Sequence, residues 1–117
     1  MKVLRIVPNI AGDPAAAKRF YGEALGLDIV MDMGWITTFG ASTKSTVQLS
    51  IALEGGSGTA VPDISVEVDD LDAAVAAIND GGFVIEYGPI SEPWGVRRFF
   101  VRDPFGRLVN ILSHHET

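Results

Sequence analysis

Acids, amides and aromatic rings, rather than nucleophiles, are what this chain offers for chemistry. Asp63 and Glu67 sit in Asp63-Ile64-Ser65-Val66-Glu67-Val68, and a strand there puts both carboxylates on one face. Burial of either would raise its pKa toward that of a general base; left solvated, the two would serve as ordinary partners for arginines. Cysteine is absent, which removes thiolate nucleophiles, thiolate metal sites and disulfides. The only histidines, His114 and His115, lie past the last expected strand, where a solvated tail is the expected role. With them so placed, no serine, histidine and acid set for nucleophilic catalysis can be drawn.

The aromatic residues point to binding. Trp35 and Phe39 on one strand, Trp94 in a loop between Pro93 and Gly95, and Phe99 opposite the last strand offer flat apolar walls to an aromatic or cationic guest. Tyr87 is a further candidate. The competing role for the two tryptophans is to cover a hydrophobic edge or a subunit interface. Strand parity separates Arg97, Phe99 and Val101 from Arg98, Phe100 and Arg102. If the first set faces a ligand, Arg97 beside Asn110 can orient an anionic or carbonyl group. Gln48 completes the polar candidates, alternating with the apolar Val47, Leu49 and Ile51.

The elements that must position these residues come in a repeated order. A strand near 3–8, a helix over 14–25 and strands near 28–33, 35–40 and 46–52 are followed by the same series: a strand at 63–68, a helix over 71–80 and strands near 83–86, 96–102 and 107–112. Asp13 is placed to cap the first helix, Pro14 suits its first turn and Gly26 can end it. Its apolar stripe is Ala17, Phe20, Tyr21, Ala24 and Leu25. Asp69 or Asp70 can cap the second helix, whose stripe is Leu71, Ala74, Val75 and Ile78, and Gly81-Gly82 stops it. Gly55-Gly56-Ser57-Gly58 between the halves reads as a flexible linker. Asp103-Pro104-Phe105-Gly106 is a turn closing a final hairpin.

Composition bounds the rest. The 117 residues form one domain by size, and with 47% hydrophobic and 21% charged residues a packed globule is expected. Nine basic against fifteen acidic residues leave a net charge of −6, which supplies no basic face for nucleic acid. Arg97, Arg98, Arg102 and Arg107 cluster near the final hairpin, where a solvated or ion-paired rim is expected. No run reaches the ~20 apolar residues of a membrane helix, and Met1-Lys2-Val3-Leu4-Arg5 has no signal-peptide core, so a cytoplasmic location is expected.

The repeated βαβββ order, the segment 13–27, Val66-Glu67-Val68-Asp69-Asp70 and the Asp-Pro-Phe-Gly hairpin together resemble the vicinal oxygen chelate superfamily of glyoxalase, bleomycin-resistance and dioxygenase proteins. The resemblance covers almost the whole chain. It implies an α+β fold of two tandem βαβββ modules, about 1–54 and 63–113 joined by a linker at 55–62, in which a curved mixed sheet forms a cleft with helices outside. Metalloenzymes of that superfamily draw ligands from four strands, and the matching positions here are Ile6, Gln48, Asp63 and Asn110. Asn110 stands seven residues after the turn aspartate, where those enzymes carry a carboxylate. Neutral amides and an isoleucine are poor ligands for the usual transition metals, so no metal and no cofactor are expected. The implied function is metal-independent binding of a small molecule by a homodimer of bleomycin-resistance type. The alternatives are a lyase, isomerase or dioxygenase with an atypical metal site built from Gln48, Asp63 and Asn110, and a structural or regulatory module.

Overall fold

The computed structural model describes residues 1–24, 26–41 and 48–114. They form two compact units, 7–61 and 1–6 with 62–114. The first unit carries most of β1 (Val3–Ala11), then α1 (Pro14–Ala17) continued by a π-helical segment (Lys18–Ala24), β2 (Asp28–Asp32), β3 (Ile36–Gly40) and β4 (Gln48–Ala52). The second carries the start of β1, then β5 (Ile64–Val68), α2 (Leu71–Asp80), β6 (Ile85–Ser91), β7 (Val96–Arg102) and β8 (Leu108–His114). Each half therefore follows the βαβββ order read from the sequence.

The halves also share a pairing rule. In the first unit the strands run β2-β3-β4-β1, with β1 parallel to β4 and the other pairs antiparallel. In the second they run β6-β7-β8-β5, with β5 parallel to β8 and the others antiparallel. Opening and closing strands can lie parallel because the intervening helix and strands supply the long crossover that parallel pairing needs. The fold class is α+β with mixed pairing, as expected.

Local chemistry explains the helices. The Asp13 carboxylate accepts the Ala15 amide at 3.0 Å, and Pro14 occupies the first turn. In α2 the Asp70 side chain accepts the Ala73 amide at 3.0 Å, so Asp70 is the cap. The first helix winds as α for only four residues before widening to a π-helix, a change that apolar spacing of three to four residues does not signal. Leu25 and the side chain of Phe20 lie outside the described set, as do 46 and 47 at the expected start of β4.

Each unit packs its helix on one sheet face. In the second, Leu71 and Ala74 of α2 join Val68, Phe99 and Val101 in the core, with Val66, Val75, Ile78, Val109 and Ile111 around them. In the first, Ala17, Phe39 and Ile51 form the centre, with Tyr21, Leu27 and Leu49 against it. The segment read as a flexible linker is an ordered turn: Gly55 and Gly56 are buried, the Gly55 amide donates to Thr59 O at 2.8 Å, and the Gly58 amide reaches Glu54 Oε1 at 3.0 Å. Small residues are needed there for contact, since a Cβ on Gly55 would lie 2.0 Å from Ala60 O. Among the described residues, no helix is long and apolar enough to cross a membrane.

Candidate functional site

The sheet face of the second unit that turns away from α2 is built largely from polar and aromatic groups. Register fixes its membership: Phe100 lies opposite Asn110, Arg98 opposite Leu112, and on the other side Ser65 pairs with Asn110 and Glu67 with Leu112. Directly opposed residues share a face, and every second residue returns to it. The alternate set, Phe99, Val101, Val109 and Ile111, packs on α2.

The centre of this face is an ion pair almost wholly removed from water. Arg98 Nη2 lies 2.6 Å from Glu92 Oε2, with side chains 3% and 2% exposed. Arg98 Nε donates to the same oxygen at 2.9 Å, and the Tyr87 hydroxyl lies 3.2 Å from both carboxylate oxygens. Three rings surround the guanidinium, with centroids 4.7 Å away for Phe100, 4.9 Å for Trp94 and 5.5 Å for Tyr87. The loop holding Glu92 and Trp94 is short because Glu92 N–H donates to Val96 O at 2.7 Å and Gly95 N–H to Glu92 O at 3.2 Å. Gly95, at φ +89°, takes a conformation that a side chain would strain.

Beside this cluster, Asn110 is 7% exposed and only half satisfied. Its Nδ2 donates to Ser65 Oγ at 3.1 Å, while Oδ1 is buried with no protein partner. Exchanging the ends of the amide would let Ser65 donate instead and leave Nδ2 unpaired, so one polar end lacks a partner either way. Such a buried group costs about 1–3 kcal/mol. Further along the face, Glu67 receives Arg5 Nε on Oε1 at 2.9 Å and faces His114 Nδ1 across 2.8 Å from Oε2.

Several sequence expectations change here. Strand parity is the reverse of the one that would bring Arg97 to Asn110. Phe99 is fully buried in the helix-side core, and Arg97 Nη1 reaches Asp72 of α2 at 2.7 Å. Both faces of β7 carry a cation and an aromatic residue, so alternation alone could not choose between them. Phe39 is core in the other unit, its ring 5.8 Å from that of Tyr21. In that unit Gln48 pairs with Gly40 and is half-buried, as is Trp35, whose carbonyl accepts the Leu53 amide at 2.8 Å. Asp63 Oδ2 accepts the Leu108 amide at 2.9 Å, which fastens the start of β8. Of the expected ligand-binding residues in the second unit, Asn110 and Trp94 belong to the polar face. Arg98, Glu92 and Phe100 were missed as site residues. His114 is part of β8 and not a tail, because β8 continues opposite Val96; His115 lies outside the described residues.

Comparison with known proteins agrees with this architecture. The family model described as Glyoxalase/Bleomycin resistance protein/Dioxygenase superfamily matches residues 7–111. The chain belongs to that superfamily. A search of curated proteins found no match. The solved structure of NAD-dependent benzaldehyde dehydrogenase from Legionella pneumophila is similar with a TM-score of 0.78 at 17% identity, covering 95% of this chain and 100% of that one. Methylmalonyl-CoA epimerase from Mycobacterium tuberculosis gives 0.65 at 20%, covering 97% and 88%. A superfamily member from Vibrio splendidus gives 0.62 at 18%, covering 96% and 99%. At these identities the likeness is one of fold.

The superfamily implies a divalent metal, and the residues at the matching positions do not fit one. Ile6 has no donor atom and is 62% exposed, and its neighbour Arg5 meets Glu67. The Asp63 carboxylate is engaged with backbone, and Asn110 with Ser65. Among the described residues, no three His, Cys, Asp or Glu side chains come together to hold an ion.

Proposed function

We propose that this superfamily member binds a small organic molecule without a metal, on the polar face of its second unit, and sequesters it in the manner of bleomycin-resistance proteins. Asn110 carries the reading. A buried amide with one end unpaired is costly within the protein alone and becomes favourable when a ligand supplies the missing partner. The half-buried Trp94 and Tyr87 provide flat surface beside it, held in place by the Glu92–Arg98 pair and backed by the buried Phe100. Absence of cysteine suits a cytoplasmic location, and the exposed apolar residues Ile29, Val30 and Met31 on the edge strand β2 suit a homodimer.

The test is a panel of small molecules titrated into chelator-treated protein and followed by tryptophan fluorescence, on wild type and on Asn110→Leu. Leucine has the same branching and number of side-chain heavy atoms and no polar end, so relief of the unpaired group offsets the larger methyl groups, the variant should lie within about 1–2 kcal/mol of wild type, and it should lose the ligand response. Responses that are the same in Asn110→Leu would contradict the proposal.

A further inference from the structure

His114 is the last described residue of β8, opposite Val96 on β7, and its imidazole is half exposed. Its Nδ1 lies 2.8 Å from Oε2 of Glu67, a carboxylate only 16% exposed and held on its other oxygen by Arg5 Nε at 2.9 Å. An ionised carboxylate only accepts, so Nδ1 carries the hydrogen and Nε2 of the neutral ring carries the lone pair. This tautomer selection is how a carboxylate orients an imidazole base in hydrolases. The groups facing the imidazole are Glu67 from β5, with Arg5 from β1 behind it, and from β7 the uncharged Val96 and the diagonal Arg98, whose charge is balanced by Glu92.

The pair also lies beside a stacking surface. Arg98 is the diagonal neighbour of His114 across β7 and β8, about 7–8 Å away by the usual spacing of such positions. The Trp94 ring packs over that guanidinium at 4.9 Å.

We propose that Glu67 and His114 form a proton-transfer site for a planar weak acid, a ring bearing an O–H or N–H that ionises near neutrality. The inference rests on the reading that this face binds a small molecule. The ring stacks at Trp94 and its acidic proton passes to His114 Nε2. The ligand becomes an anion and the imidazole an imidazolium, whose charge is balanced by Glu67. No electron transfer or co-reactant is involved.

p-Nitrophenol is a suitable probe, because its anion alone absorbs in the visible. Equilibrium dialysis gives total bound probe, and absorbance gives the ionised share. Bound to wild type near neutral pH, the ratio of anion to neutral phenol should exceed that of free probe by about tenfold, one unit in its apparent pKa. Both His114→Gln and Glu67→Gln should abolish the excess while leaving dialysis of the neutral probe at low pH nearly unchanged. Binding with an unchanged ionised share, or an excess that persists in His114→Gln, overturns the pair and leaves the binding face standing. Failure of the probe to bind overturns the ligand class. Independently of any ligand, nitrogen-15 correlations of the imidazoles should show the Nδ1–H tautomer for a signal that His114→Gln removes. The Nε2–H tautomer there would overturn the proposal.

Discussion

The Glu92–Arg98 pair permits a quantitative prediction, because both side chains are nearly inaccessible to water. Glu92→Gln keeps the shape of the side chain and removes its charge, leaving the Arg98 guanidinium buried without its counter-ion. Removing one member of a buried pair costs about 3–5 kcal/mol. Unfolding entropy near 2.1 cal/mol/K per residue gives ~0.25 kcal/mol/K for 117 residues, so each kcal/mol is about 4 °C. The expected fall in Tm is therefore roughly 12–20 °C. A truncated arginine leaves the Glu92 carboxylate buried without that counter-ion, and Arg98→Met should cost a similar amount, since methionine retains most of the stem packing but not the stacking on three rings.

The double variant Glu92→Leu/Arg98→Met is the informative one. With both charges gone, apolar residues of similar volume fill the site, and such replacements are neutral or stabilising by about 1–4 kcal/mol. Loss of the Tyr87 hydroxyl's acceptor offsets part of that gain at about 1 kcal/mol. The double variant should therefore lie within about 2 kcal/mol of wild type, and the cycle closed with Glu92→Leu and Arg98→Met as its single variants should return a coupling of at least ~3 kcal/mol. Urea unfolding by circular dichroism measures all four corners. Costs below about 1 kcal/mol for Glu92→Gln, or single-variant costs that simply add, would refute the argument that this pair is desolvated and isolated from solvent.

Other variants test the frame around the site. Gly55→Ala drives a methyl into Ala60 O and Thr59 Oγ1, at 2.0 and 2.3 Å, and should cost about 3 kcal/mol as a lower urea midpoint at unchanged slope. Gly58→Ala in the same turn meets no atom within 4 Å and has only its φ of +74° against it, so about 1–2 kcal/mol is expected. Asp32 is held below the ordinary carboxylate range of 3.8, first by the Lys18 side chain and then by the Gly34 amide. A lowered folded pKa means that its contribution is present above about 3.8 and lost as pH falls from there through the folded value. Lys18→Ala should return the Asp32 titration, read by NMR, toward 3.8.

Much of the architecture was legible because it depends on short-range signals. Asp13, Pro14 and Asp70 announce helix starts through backbone donors they satisfy or lack, and both halves give the same βαβββ order. The site was less legible, for identifiable reasons. Val96 to Arg102 carries arginine and phenylalanine on each face, so period-two alternation gives no preference between Arg97 with Phe99 and Arg98 with Phe100. Only the packing of Phe99 and Val101 on α2 decides it. Glu92 sits six residues from Arg98 across a turn, and its burial depends on where that loop folds back. His114 looked like a tail because its strand character comes from pairing with Val96, a contact set by register rather than by local propensity.

The central claim is that the face carrying Asn110 receives the ligand. Amide and indole shift mapping by NMR tests it most directly, with chelator-treated, isotopically labelled protein titrated with a compound found in the fluorescence panel. The account predicts that the largest shifts fall on the Asn110 side-chain amide, Ser65, Phe100 and the Trp94 indole, and that they vanish in Asn110→Leu. Shifts concentrated instead on α2 and its packed partners, or unchanged in Asn110→Leu, would contradict it.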